Sequence, residues 1–149
     1  MQAQILAPAA VLVLWSLIML YWMAFTRLPA IKKVSGGGIG EAKPGGRGQD
    51  LEGVIPDKVQ WKAHNYAHLM EQPTIFYPAV VILAVMGAGA VDVTLAWIYV
   101  ALRIVHSLYQ ATVNVVRIRF LLFLAATLAL SALAIRAIAV TLFADPGVL

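Results

Sequence analysis

Residues 61–86 read WKAHNYAHLMEQPTIFYPAVVILAVM. The stretch is long enough to cross a bilayer, which takes about 20 residues. It nevertheless holds His64, His68, Glu71, Pro73 and Pro78. Successive residues advance about 100° around a helix, so His64, His68 and Glu71 fall within a ~60° sector. Residues 93–116, VTLAWIYVALRIVHSLYQATVNVV, repeat the pattern. Arg103, His106, Ser107, Gln110 and Asn114 share a face roughly 100° wide. Polar stripes on two neighbouring apolar helices are expected to face each other and not lipid, because an intramembrane charge costs at least ~2.5–3.5 kcal/mol when it is left unpaired.

Two further apolar segments flank these, from about Ile5 to Phe25 and from about Phe120 to Phe143. The expected fold is therefore an all-α membrane protein, a bundle of four transmembrane helices making one membrane domain over 1–149. Composition agrees: of 149 residues, 62% are apolar and 12% charged, against about 25% charged in soluble domains. A soluble globule, a disordered chain and a nucleic-acid binder are excluded on this balance. The net charge of +4 does not restore a nucleic-acid reading, because the cations form no patch on a soluble face. The chain has no cysteine, which excludes disulfides and thiolate chemistry by its own side chains. The first apolar segment lacks a basic flank and is too long for a signal-peptide core, so it reads as a retained helix.

Connections and charges set the topology. Residues 27–57 form the one long connection, with Gly36-Gly37-Gly38, Gly45-Gly46, Pro29, Pro44 and Pro56, a composition expected of a flexible loop. The links Gly87–Asp92 and Arg117–Arg119 are short, so the last three spans are expected to run antiparallel. Nine cations gather at one end: Arg27, Lys32, Lys33, Lys43, Arg47, Lys58, Lys62, Arg117 and Arg119. The other end has only Asp92 and Asp145 in its connections. The cationic end is expected to be cytoplasmic, with both termini on the opposite side. Trp15, Tyr21, Trp22, Trp61 and Trp97 read as interfacial anchors. Arg136 is expected to snorkel along its stem to the outer interface.

Glu71 and Arg103 each lie about ten residues inside their spans, ~15 Å deep from opposite sides. An ion pair between them is the expected neutralisation. Such a pair either specifies packing alone or lines a polar pocket. The His64–His68 spacing, with Glu71 a turn further on, also fits a metal site, since imidazoles at i, i+4 can share an ion; hydrogen-bonded histidines in a packed bundle are the alternative. Pro73 and Pro78 remove backbone donors and either open a pocket near Glu71 or shape packing. Arg117 and Arg119 either mark topology or offer guanidinium forks to an anion.

The run from His64 to Tyr77, with His64, His68, Glu71, Pro73 and Phe76, resembles the MAPEG family, the membrane-associated proteins of eicosanoid and glutathione metabolism. So does Arg103-Ile-Val-His106-Ser107, followed by Asn114 and Arg117-Ile-Arg119-Phe120. The likeness is greatest to the family's bacterial branch, which implies a bacterial inner membrane. It also implies a homotrimer with glutathione bound at subunit seams near the cytoplasmic side, where Glu71 could meet an Arg103 of its own chain or of a neighbour. Glu71 then matches the residue that touches the amino end of glutathione. Arg103 and His106 match the arginine and histidine of the third span. Arg119, and less closely Arg117, aligns with the arginine that stabilises the glutathione thiolate. His64 and His68 stand where the pattern has arginine and asparagine, and Gln110 where it has tyrosine. The implied function is a glutathione-dependent transferase or peroxidase acting on lipophilic electrophiles, with glutathione as cosubstrate. His64, His68, Glu71, Arg103, His106, Gln110, Asn114 and Arg117 are the implied binding residues and Arg119 the catalytic one. The alternatives are a non-catalytic protein of the same fold that binds lipid or a partner, and a His/Glu metal or haem protein.

Overall fold

The computed structural model describes every residue except 1, 145, 146, 148 and 149. The described residues form helices α1 (Gln2–Ser35), α2 (Asp57–Leu69), α3 (Pro73–Met86), α4 (Ala90–Thr112) and α5 (Val116–Leu142), with short 3₁₀ turns at Gly38–Glu41 and Gly48–Leu51. No strand occurs among them. α2 and α3 together make one crossing, Asp57–Met86, so four helical units are long and apolar enough to span a membrane. Asp145, expected on the non-cytoplasmic side, lies outside the described residues.

Each crossing buries one stripe. On α1 the buried residues are Ile5, Pro8, Leu12, Ser16 and Met19, at helical spacing. They pack with Phe76, Val80 and Leu83 of α3, Tyr99 and Val100 of α4, and Leu130 and Leu133 of α5. Lipid gives little hydrophobic drive for helices to associate, so close contact must supply the energy. Ala126, Ala129 and Ala137 provide it on α5 by letting the backbones approach. Leu14, Phe25, Val85, Leu128 and Ile135 point outward as an apolar belt. Hydroxyls within the spans bond back to their own helix: Ser16 donates to the Leu12 carbonyl and Thr127 to that of Phe123. These two hydroxyls are thereby not left to face hydrocarbon alone.

α1 is longer than its apolar run suggests. It passes through Pro29 and ends at Ser35, so Leu28–Ser35, expected as loop, is helix. The stop is at Gly36, whose left-handed φ of 74° lets its N–H reach the Lys32 carbonyl at 3.0 Å, a common helix C-terminus. The connection beyond folds back on α1. Arg27 donates to the Gly48 carbonyl, and a Cβ at Gly48 would crowd the guanidinium at 2.7 Å, so a larger residue there would push the flexible Arg27 side chain aside.

Three other expectations change. Trp15 is no interfacial anchor: its Nε1 donates to Ser107 Oγ at 3.0 Å inside the bundle, joining α1 to α4. Arg136 does more than run toward the outer end along its stem: it pairs there with Asp92, in the first turn of α4. That carboxylate, 2% exposed, also accepts the Gly89 N–H at 2.8 Å and so caps α4. Asn114 is not on the face of the third span. α4 ends at Thr112, and Asn114 occupies the turn before α5 with φ 59°.

Candidate functional site

The site begins with the interruption between α2 and α3. Proline at 73 has no N–H to donate and serves as the first residue of a new helix. Residues 70–72 are therefore turn. The His68 carbonyl leaves the regular ladder and meets the Glu71 N–H at 3.3 Å in a tighter turn. Arg103, fully buried on α4, completes it: Nη2 donates to the His68 carbonyl at 3.1 Å and to His68 Nδ1 at 3.1 Å. Guanidinium can only donate. His68 Nδ1 is thus an acceptor, and the ring proton resides on Nε2.

The expected Glu71–Arg103 ion pair is absent from the protomer. Glu71 follows the helix break, so the 100° step that aligned it with His64 and His68 no longer applies. Its side chain is 69% exposed and lies 3.9 Å from His68 Nε2. Arg103 Nη2 is met instead by a carbonyl and an imidazole lone pair, while its Nε and Nη1 are buried with no partner among the described residues.

His68 stacks on His106, with ring centroids 4.9 Å apart, and Phe123 tilts against both rings. These residues line a cleft of about 220 Å³ together with Gln110, Val116, Arg119 and Phe120. The α2 and α4 side carries two imidazoles and an amide; the α5 side is apolar and aromatic, with the Arg119 guanidinium on the same helix face. His106 Nδ1 and Gln110 Oε1 are buried and have no protein hydrogen-bond partner among the described residues. Arg119 is half-buried and held from the turn: Nη1 donates to Asn114 Oδ1 at 2.7 Å. The left-handed backbone at Asn114, a conformation that asparagine tolerates, places the amide for that contact.

Of the residues singled out in the sequence, His68, His106, Gln110 and Arg119 come together in the cleft. Arg103 and Asn114 stand behind them, and Glu71 lies at the margin. His64 does not join them. Its Nε2 contacts Glu52 Oε1 of the long connection at 2.7 Å, so His64 and His68 are engaged with different partners. No group of three His, Asp or Glu among the described residues could hold a metal ion. Arg117 is exposed at the turn and does not line the cleft.

Two features escaped the sequence reading. Gln72, in the break, donates to Thr127 Oγ1 at 2.8 Å and accepts from the Tyr99 hydroxyl at 3.3 Å, tying α4 and α5 to the interruption. Val116, Phe120 and Phe123 form the apolar wall. Their i, i+4, i+7 spacing, with Arg119 on the same face, was the available signal.

Chemically, the cleft suits an amphipathic ligand. Arg119 can stabilise a thiolate or carboxylate, the imidazoles and amide can orient polar groups, and the phenyl rings can take an apolar substituent. The MAPEG family model matches residues 5–139. Comparison with curated proteins gives no match, nor does comparison with solved structures. The family match takes in all four crossings and every residue of the cleft, and on it the chain belongs to the MAPEG family, the membrane-associated proteins of eicosanoid and glutathione metabolism.

Proposed function

We propose that the protein is a glutathione-dependent transferase or peroxidase acting on lipophilic electrophiles dissolved in the membrane. The observation that carries this reading is Arg119, held by Asn114 at a cleft with one polar and one aromatic wall. A guanidinium beside a thiol lowers its pKa and so raises the fraction present as the nucleophilic thiolate. In this role Arg119 is the catalytic residue. His106 and Gln110 hydrogen-bond the peptide groups of glutathione, His68 donates through Nε2, and Glu71 takes the amino end. Arg103 is a positioning residue, acting through His68. Arg117 and the other cations at that end attract the anionic tripeptide. Phe120 and Phe123 receive the electrophile from the lipid side.

The same reading assigns a homotrimer in which a neighbouring chain closes each cleft, with its nine-cation end in the cytoplasm of a bacterial inner membrane and both termini outside. A second reading is favoured by one observation: His64 is turned away to Glu52, so fewer groups remain to clamp two carboxylates. It makes the protein a non-catalytic family member that binds lipid or a partner. Purified protein, glutathione and a chromogenic electrophile separate the two. Saturable turnover with glutathione binding by calorimetry supports the enzyme; neither turnover nor binding supports the scaffold.

A further inference from the structure

A larger groove lies at the cationic end of the protomer, between the last turns of α1 and the connection folded against them. Its volume is about 760 Å³, within the ~300–1,000 Å³ range of small-ligand sites. Leu28, Ile31, Ile39 and Leu51 line it, with Ala24 one helical turn before Leu28 on α1. Arg27, Lys43 and Arg47 stand around it. One carboxylate, Asp50, also lines it, but its Oδ2 already accepts the Arg47 N–H at 2.7 Å. Cations therefore exceed carboxylates three to one. Ile39, on the polar connection, is 66% exposed and Leu28, near the end of α1, 47%, where apolar side chains gain nothing from water. The groove sits where α1 leaves its apolar run and cations begin, the composition of a segment at a membrane–water interface.

We propose that this groove binds one anionic membrane phospholipid, the phosphate among Arg27, Lys43 and Arg47 and an acyl chain along Leu28, Ile31 and Ile39. Charge complementarity selects the headgroup and the apolar floor selects a chain over a free phosphate. The bound lipid pins the long connection to the membrane surface. The groove shares no lining residue with the His68–Arg119 cleft, so this site stands or falls independently of the proposed enzyme activity.

The test is native mass spectrometry of the full-length protein in detergent with added phosphatidylglycerol or phosphatidylcholine. Wild type retains phosphatidylglycerol in preference to phosphatidylcholine. Each neutralised cation at the groove weakens that preference about fivefold, from about 1 kcal/mol per charge. The Lys43→Gln/Arg47→Gln variant therefore weakens it about twenty-five-fold. Lys32→Gln/Lys33→Gln, which removes the same charge from exposed positions outside the groove, leaves it unchanged. Ala24→Trp, which adds bulk to the groove lining without altering charge, weakens retention, and Leu28→Gln provides the same arm if that variant does not fold. Equal loss in the two double variants reduces the effect to general surface charge and overturns the site. So does unchanged retention in the variant of the apolar floor. Cross-linking of Ile39→Cys chains to one another makes the face a contact between copies and likewise overturns it.

Discussion

Arg103 and His68 are joined twice: one guanidinium nitrogen donates to both the ring nitrogen and the main-chain carbonyl of the histidine, each at 3.1 Å. A fully buried cation thereby repairs a helix interrupted in mid-membrane. It also fixes which histidine nitrogen carries the proton.

Arg103 and Glu71 should consequently behave as unrelated residues. Arg103→Met removes both bonds and leaves a buried carbonyl short of a partner, which costs about 1–3 kcal/mol. Glu71→Gln changes an exposed side chain and stays within about 0.5 kcal/mol of wild type. Thermal unfolding of each variant and of the double variant in detergent is the measurement. A coupling between the two above ~0.5 kcal/mol would restore the direct ion pair.

Asn114 offers a way to loosen Arg119 without removing it. Asn114→Gly keeps the left-handed backbone, which glycine adopts freely, but deletes the amide that holds Nη1. Turnover with glutathione is expected to drop about tenfold to a hundredfold, the scale of a small misplacement of a catalytic group, with the melting temperature little changed. Asn114→Leu should instead lower stability by about 1–2 kcal/mol, because its apolar side chain lacks the local hydrogen bonding that lets asparagine tolerate the left-handed conformation. Steady-state kinetics and thermal unfolding of the pair separate positioning from folding.

At the opposite end, Asp92 both caps α4 and pairs with Arg136. Asp92→Ala is expected to cost about 2 kcal/mol through the lost cap and the stranded cation. Arg136→Leu, which trades the partly exposed cation for an apolar side chain beside lipid, should cost less. The double variant should be more stable than the sum of the two losses implies, since the guanidinium no longer seeks a partner. Strict additivity in unfolding experiments would mean the pair contributes nothing beyond its parts.

The spans were legible because hydropathy and length are properties of contiguous residues. The membership of the polar cluster was legible too, since His106, Ser107 and Gln110 lie on an unbroken α4, where the 100° step holds. It failed at Glu71 and Asn114 because each follows a chain break that resets the helical phase, the turn before Pro73 in one case and the end of α4 at Thr112 in the other, and at His64 because the long connection brings Glu52 to it. The partner of Arg136 was not legible, because Asp92 lies 44 positions away in sequence. Gln72 gave no signal on its own, since its partners Tyr99 and Thr127 are brought to it only by packing. The extension of α1 to Ser35 was hidden by Pro29, which reads as a helix stop yet sits where a freed carbonyl can meet headgroups or water.

The proposed role of Arg119 is tested most directly by the ultraviolet absorbance of the thiolate. Glutathione titrated into the purified wild-type protein at neutral pH should produce a saturable thiolate band, and Arg119→Ala should abolish the band while calorimetry still detects binding. A wild-type complex that binds glutathione without a thiolate band, or an Arg119→Ala variant that shows the band undiminished, would contradict it.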